Sequence, residues 1–381
     1  MLEKFVDHKR KDKVFLLRDL IEVRIPLDHY NRLSRRFEDD YIVSFGEPKQ
    51  ILHSITRREL VYITRESGIP LMGSAAFGLI DRGTNLIQVR PITGCNLNCI
   101  HCSVDEGRNS TSMVTDYIVE PQYLVEKLRE IAPFKGDGVE AHIDGQGEPL
   151  LYPYMKELLE GISQIKEINV VSVQTNGTLL DEDYISLLES YVSRINLSLN
   201  AIQKDTARKV YRANFPLENV MESARRIAES EMDLLIAPVW LPGYNDQEME
   251  EIIEFAVGVG AGKRYPPLGV QKYIPYKHGR KLKEVMDFKE FYSQLAEWEK
   301  KYGVKLILSP EDFGTHKRPR VQHPIRKGEH YKAKLIAEGR MQGEKLAEVK
   351  GRVVTVRTHK KVGQTASFKI VRSKDGIFLG H

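Results

Sequence analysis

Between residues 85 and 273 the apolar positions keep changing period, from every second residue to every third or fourth. Period two marks a half-buried strand and period 3.6 an amphipathic helix. NLIQVRP (85–91) reads as a strand, β-branched and closed by proline. EPQYLVEKLREIAPF (120–134) reads as a helix with Leu124, Leu128 and Ile131 on one face. VEAHIDG (139–145), INVVSVQTNG (168–177), RINLSLNA (194–201), DLLIAPVW (233–240) and LGVQKY (268–273) are further strands. Helical patterns at 154–165, 181–191, 216–229 and 246–257 stand between them. Six β-then-α units in series predict an α/β fold of parallel strands with right-handed crossovers, a barrel or an open sheet.

The two faces of these strands differ. One carries Gln88 and Arg90, His142 and Asp144, Ser172 and Gln174, Asn196, Ser198 and Asn200, and Gln271 and Tyr273. The other carries Ile87 and Val89, Ala141 and Ile143, Val171 and Val173, and Ile195, Leu197 and Leu199. A filled barrel has a branched-aliphatic interior. A polar face on several strands therefore predicts a solvated cavity for a polar ligand. His142, Asp144, Gln271 and Tyr273 become candidates for substrate contact or proton transfer there.

The flanks follow other rules. Residues 1–84 mix helical and strand-like pieces with many charges and form an N-terminal extension of no assigned role. The core is expected over 85–308. SPEDFGTHKRPRVQHPIRKGE (309–329) is rich in proline and basic residues, so 309–325 is expected to be a basic linker. Over 326–381, short β-like runs separated by glycines predict a small closed β-barrel.

Charge sharpens this division. The chain is +4 overall, but from Glu311 onward 17 Lys and Arg stand against 7 Asp and Glu, a net +10. The first 310 residues therefore sum to −6. A basic tail on an acidic body suits a polyanion partner, and equally a solvated lysine-rich surface. No apolar run approaches the roughly 20 residues that span a bilayer, and MLEKFVDHKRKDKVF lacks the apolar stretch of a secretory signal. A cytoplasmic, reducing location is expected, with no membrane partner.

All three cysteines, Cys95, Cys99 and Cys102, fall in PITGCNLNCIHC (91–102). An odd count excludes a simple disulfide framework. Thiolates at C-x3-C-x2-C on a loop after a strand form a hook for zinc or an iron–sulfur cluster. Structural zinc wants four ligands. His101 is the local fourth candidate, but it adjoins Cys102, and neighbouring residues rarely reach one tetrahedral ion together. A four-iron, four-sulfur cluster on three cysteines leaves one iron open.

This pattern, after the first strand of a β/α series, resembles the radical S-adenosylmethionine (SAM) superfamily, with His101 where an aromatic residue commonly stands. GQGEPLLYP (145–153), QTNG (174–177), SLNA (198–201) and LPGYND (241–246) are similar to the superfamily's later motifs, in order and each past a strand. The resemblance covers roughly residues 85–305. It implies a partial (β/α)6 barrel, a [4Fe-4S] cluster on Cys95, Cys99 and Cys102, and SAM on the open iron. Backbone around Gly147, Glu148 and Pro149 would meet the SAM amino group. Thr175 and Asn176 would meet its carboxylate or ribose, and Ser198 and Asn200 its ribose. The chemistry implied is reductive cleavage of SAM to a 5′-deoxyadenosyl radical that abstracts hydrogen, with ferredoxin or flavodoxin as electron donor. No cysteine is left for an auxiliary cluster or a methyl-carrying thiol.

Residues 326–381 resemble a TRAM domain, a small RNA-binding barrel, through EGRMQGEKLAEVKGRVVTV and VGQTASFKIV. That resemblance implies RNA contacts from Lys332, Lys334, Arg340, Arg352, Arg357, Lys360, Lys361 and Lys369, with Tyr331, His359 and Phe368 as stacking groups. Together the two point to a radical SAM enzyme that modifies RNA, tRNA foremost. The alternatives are a protein or metabolite substrate, or a non-catalytic zinc-stabilised RNA-binding protein. As an appended module, the tail is expected to be removable without loss of the core's own chemistry.

Overall fold

The computed structural model describes residues 2–381, with side chains from Glu3 onward. The N-terminal extension is a sheet. Strands β1 (Leu2–Asp7), β2 (Asp12–Leu17) and β3 (Ile21–Pro26) meander antiparallel, followed by helices α1 (Leu27–Leu33) and α2 (Asp39–Phe45). Strands β4 (Gln50–His53) and β5 (Glu59–Ile63) extend the same sheet. Next, β6 (Gly78–Asp81) and β7 (Leu86–Arg90) form an antiparallel pair that opens a second sheet. The cysteine loop follows, and β8 (Thr115–Val119) then crosses to pair in parallel with β5, completing a six-stranded sheet. The core's own chain is thus stitched into the N-terminal sheet on either side of the cysteines.

The β/α series appears where periodicity places it. Helix α3 (Pro121–Lys135) starts on proline, which suits the first helical position because its missing N–H has no partner there anyway. It buries Leu124, Leu128 and Ile131. Strand β9 (Val139–Ile143), helix α4 (Met155–Ser163), strand β10 (Ile168–Thr175) and helix α5 (Glu182–Glu189) follow, α5 capped by Asp181, which accepts from Tyr184 N at 2.8 Å. Then come β11 (Arg194–Leu197), α6 (Lys204–Tyr211), α7 (Leu217–Glu229), β12 (Asp233–Ile236), β13 (Val239–Trp240), α8 (Met249–Gly258), β14 (Gln271–Lys272) and α9 (Phe288–Tyr302). Helices α6 and α9 stand in addition to the predicted helical stretches. Helix α9 buries Phe291, Leu295 and Trp298, a spacing that was available in the sequence.

Strands β7, β9, β10, β11 and β12 are parallel and lie in chain order, with β6 as an antiparallel edge. A parallel bridge, Ile236 to Leu268, and the short β13–β14 pair extend this order to a sixth strand. The sheet is a partial (β/α)6 barrel that begins at Gly78 rather than at 85.

The C-terminal segment is a closed barrel of β15 (His330–Glu338), β16 (Glu344–Val349), β17 (Arg352–Arg357), β18 (Thr365–Arg372) and β19 (Phe378–Gly380), in the order β15-β16-β17-β19-β18. It is not a free appendage. Ala337, Leu346 and Val353 belong to the main hydrophobic core, Val353 N donates to Met72 O at 2.8 Å, and Tyr117 Oη donates to Glu338 O at 2.8 Å.

Nor is 309–325 a free linker. It runs as a strap along β6 and β7. Asn85 exchanges backbone and side-chain hydrogen bonds with His316, Val321 N donates to Asp81 at 2.7 Å, and Lys135 Nζ donates to Pro319 O at 2.7 Å. Lys135 and Asp81 form a fully buried ion pair at 2.5 Å beneath it. Among the described residues no helix is long and apolar enough to cross a membrane.

Candidate functional site

At the C-terminal ends of the strands lies a cavity of about 220 Å³. Cys95, Cys99 and Cys102 line it together with His101, Gly147, Glu148, Thr175, Asn176, Ser198 and Asn200. Pro149 sits behind, opening the turn Pro149–Leu151. Residues spread over more than a hundred positions meet here because each follows a parallel strand.

Two glycines join the first two loops. Gly94 N donates to Gln146 O at 3.2 Å, and Glu148 N donates back to Gly94 O at 2.9 Å. Gly147 has φ +153°, and a Cβ there would stand 2.0 Å from Gly94 O. Gly94 has φ +94°, and a Cβ on it would meet the ring of buried His53 at 2.7 Å. Only glycine permits both the turns and the approach.

Glu148 joins the second loop to the third. Its carboxylate accepts from Thr175 Oγ1 at 2.7 Å, Asn176 N at 2.7 Å and Leu150 N at 3.0 Å. Burial pushes its pKa up to about 7 even though those three donors favour the charged form. Thr175 thereby spends its hydroxyl proton on Glu148, and Asn176 turns its amide to Asn96 at 3.0 Å. Ser198 accepts from Gln174 at 2.7 Å, and Asn200 Oδ1 accepts from Val239 N at 2.7 Å. Tyr211, unremarked in the sequence, accepts from Asn200 N at 2.7 Å and fixes the end of β11.

The cysteine loop is clamped from the far end of the chain. Arg280 donates to Cys99 O at 2.9 Å, Glu106 O at 2.7 Å and Asp105 Oδ1 at 2.8 Å, while its own N–H reaches Cys102 O at 2.9 Å. Burial pushes the Cys99 thiol up to about 12 and raises Cys95 and Cys102 as well, with Arg280 opposing this at Cys99 and Cys102. Such thiols ionise when a cationic metal centre stands against them. Backbone N–H groups of Leu97 and Glu106 already point at Cys95 Sγ and Cys102 Sγ, at 3.4 and 3.1 Å. Among the described residues no three His, Cys, Asp or Glu side chains converge on one point as a single ion requires. An iron–sulfur cluster offers separate irons to separate thiolates, so the donor set fits a cluster better than zinc. His101 lines the cavity with Nδ1 buried and unpartnered, and burial lowers its pKa to about 4, leaving it neutral at pH 7.

Behind the loop is a charge network absent from the sequence reading. Asp116, wholly buried, accepts from Thr93 at 2.9 Å, from Arg58 Nε at 3.0 Å and from Arg340 Nη1 at 2.5 Å. Glu106 pairs with Arg58 at 2.8 Å and with Arg340. Two guanidiniums face two carboxylates, drawn from the N-terminal sheet, the cysteine loop, β8 and the C-terminal barrel. Arg340 is therefore buried in the core and takes no part in an exposed basic face of the barrel.

The other tail residues divide as well. Lys332, Lys334, Arg357, Lys360, Lys361 and Lys369 are exposed, and Arg352 is half-buried, its guanidinium donating to Gln322 O at 3.0 Å. His359 is exposed. Phe368 is not a stacking group: Ala366, Phe368 and Ile370 point inward and fill the barrel. Tyr331 is half-buried, with its hydroxyl on Glu329 at 2.5 Å.

The polar strand faces do enclose a second cavity, of about 380 Å³, lined by His142, Gln174, Arg194, Asn196 and Gln271 and by apolar residues of α9. Gln174 borders both cavities. Ser172 donates to Glu140 at 2.5 Å, so the His142–Ser172 contact of 2.7 Å requires the proton on His142 Nδ1. That leaves Nε2 as a proton acceptor, and burial lowers the ring's pKa further. Arg194 holds Glu140 at 2.6 Å. Asp144 is bound by Arg90 and Gln88 at 3.0 and 2.6 Å, and buried Tyr273 uses its hydroxyl on Arg280 O and Leu282 N. Of the four candidates for proton transfer, His142 and Gln271 line this cavity, and of these two only His142 carries a titratable base.

A family model described as the radical SAM superfamily matches residues 89–256. The uncharacterised protein MJ0103 of Methanocaldococcus jannaschii is 40% identical over 365 residues, 89% of this chain and 84% of its own length. The GTP 3′,8-cyclase of Chlorobaculum tepidum is 27% identical over 193 residues, 50% of this chain and 55% of the cyclase. Among solved structures, SuiB of Streptococcus suis bound to S-adenosylmethionine aligns at TM-score 0.46 and 19% identity, over 58% of this chain and 48% of that one.

Proposed function

The chain belongs to the radical SAM superfamily, and from that premise we propose that it is an RNA-modifying enzyme, acting on tRNA foremost. Its cofactors are a [4Fe-4S] cluster and SAM, as in other members. Bound together, they supply one-electron cleavage of SAM and a radical able to abstract hydrogen from carbon. Cys95, Cys99 and Cys102 would hold the cluster. Gly147, Ser198 and Asn200 would orient SAM, with Glu148, Thr175 and Asn176 keeping the three loops in register. His142 Nε2 would accept a proton from substrate reaching through to the second cavity.

One observation carries the RNA assignment: the basic barrel is docked against the cysteine loop itself, through Arg340 and Glu106. A strand bound on the barrel's cavity-facing side would thereby be held at the cavity. A free nucleotide is the second reading, favoured by the similarity to enzymes named for acting on GTP, although the chain spans only about half their length.

The test is 5′-deoxyadenosine formation by anaerobically reconstituted protein, with dithionite standing in for ferredoxin or flavodoxin. Strong stimulation by total RNA, abolished in Cys99→Ala, is the expected result. Stimulation by a mononucleotide instead would transfer the assignment to the second reading. Stimulation by neither would move it to a protein or metabolite, and an iron-free, zinc-loaded protein would end the catalytic proposal.

A further inference from the structure

A cleft adjoins the cysteine cavity beneath the C-terminal barrel. Ser103 and Val104 line that cavity and also this cleft of about 330 Å³ between the 274–280 loop and the barrel. The cleft continues into an outer compartment of about 220 Å³, the two sharing Lys277, His278, Glu344, Thr355 and Leu379. The loop contributes Lys277, β17 contributes Arg357 and β18 contributes Arg372. The barrel's salt bridges use Asp375, Arg340 and Lys345, and leave Lys277, Arg357 and Arg372 unpaired among the described residues. Glu344 is the carboxylate side chain on these walls, and burial disfavours its charge. At the inner end Arg340, though paired through its other nitrogens, keeps Nε buried without a hydrogen-bond partner.

We propose that this cleft binds a phosphate group of the substrate and sets the substrate's approach to the cysteine cavity. The proposal deepens the nucleic-acid reading above and rests on it only for the phosphate's source, an RNA strand or a free nucleotide. A concave site with low-dielectric walls concentrates an anion more strongly than a convex basic face does. The alternative face is convex. It carries Lys332 and Lys334 on β15 and Lys369 on β18, pointing away from the core. The basic residues of the cleft come from the core, through Lys277, and from the barrel, through Arg357 and Arg372, and the buried Arg340 pairs hold the two together.

The experiment is binding of a fluorescent single-stranded oligoribonucleotide to the intact protein at two salt concentrations. R357A/R372A is expected to weaken binding by about tenfold and to flatten the logarithmic salt slope by about 1.4, two contacts at roughly 0.7 each. Unchanged thermal melting shows that the variant is folded. Loss in K332A/K334A equal to or greater than that in R357A/R372A would overturn the proposal in favour of the convex face. Should wild-type protein bind no RNA, the RNA reading fails separately. The same proteins are then titrated with a fluorescent nucleoside triphosphate. Binding lost in R357A/R372A would place a free nucleotide in the cleft, and no binding by wild type would end the proposal.

Discussion

Asp116 accepts hydrogen bonds from two guanidiniums and two hydroxyls while wholly withdrawn from water. A buried charge of this kind is tolerable only while its partners remain. Arg340→Met should therefore cost about 3–5 kcal/mol in urea unfolding, the usual loss when one member of a buried pair is removed. Asp116→Asn added to it should recover part of that loss, because one uncompensated charge disappears. Gly147→Ala tests the loop junction. Its Cβ would clash with Gly94 O, so iron retained after reconstitution should fall well below wild type while far-ultraviolet circular dichroism stays unchanged. Neither Arg340 nor Arg58 is marked by its local sequence. Each looks like an ordinary surface arginine until the chain folds.

Helices α8 and α9 are joined by Glu250, which accepts from Trp298 at 3.0 Å and Tyr302 at 2.7 Å and pairs with Lys301. These contacts hold its carboxyl down at about 2. A depressed folded-state value means stability that is present above the unfolded value, near 4.5, and lost as pH falls towards 2. Glu250→Gln should therefore be less stable than wild type at pH 7, modestly because the pair is partly exposed, and the difference should narrow below about pH 4.5 and close only near pH 2 in denaturant titrations. The C-terminal barrel, by contrast, cannot be treated as an independent element. A chain ending at residue 325 would expose Met72 and Tyr117 and leave Asp116 and Glu106 short of a countercharge. Such a truncation is expected to be insoluble or to melt well below the full chain, so it cannot serve to separate RNA binding from catalysis. The barrel itself was legible, because alternation and glycines are local signals. Its docking was not, because Ala337, Leu346 and Val353 look the same whether they fill one core or two.

Across the whole molecule, two segments of no obvious purpose converge on the cysteine loop and a third closes the opposite edge of the sheet. The N-terminal sheet backs the cysteines with His53, Thr56 and Arg58, the 274–282 segment clamps them with Arg280, and the strap closes the opposite edge over Lys135 and Asp81. The strap holds trypsin sites after Lys317 and Arg320, whereas Arg318 precedes Pro319 and is not cut. A linker would be cut there quickly. Pinned by Asn85, Asp81 and Lys135, these sites should resist limited digestion in wild type and become cleavable in Lys135→Met, with mass spectrometry of the fragments as the readout.

The sequence by itself determined the α/β series, the polar strand faces, the cysteine hook and the order of loops that meet it. Each is written within a dozen neighbouring residues as a period, a spacing or a turn. The tertiary structure alone decided what stands behind those loops. Glu106 meets Arg58 and Arg340 across 48 and 234 positions, and Arg280 reaches Cys99 across 181. Charge pairing depends on distance in space, which no local pattern records. So Arg340 reads as a surface cation along the chain and becomes part of the core once folding gives it two buried carboxylates.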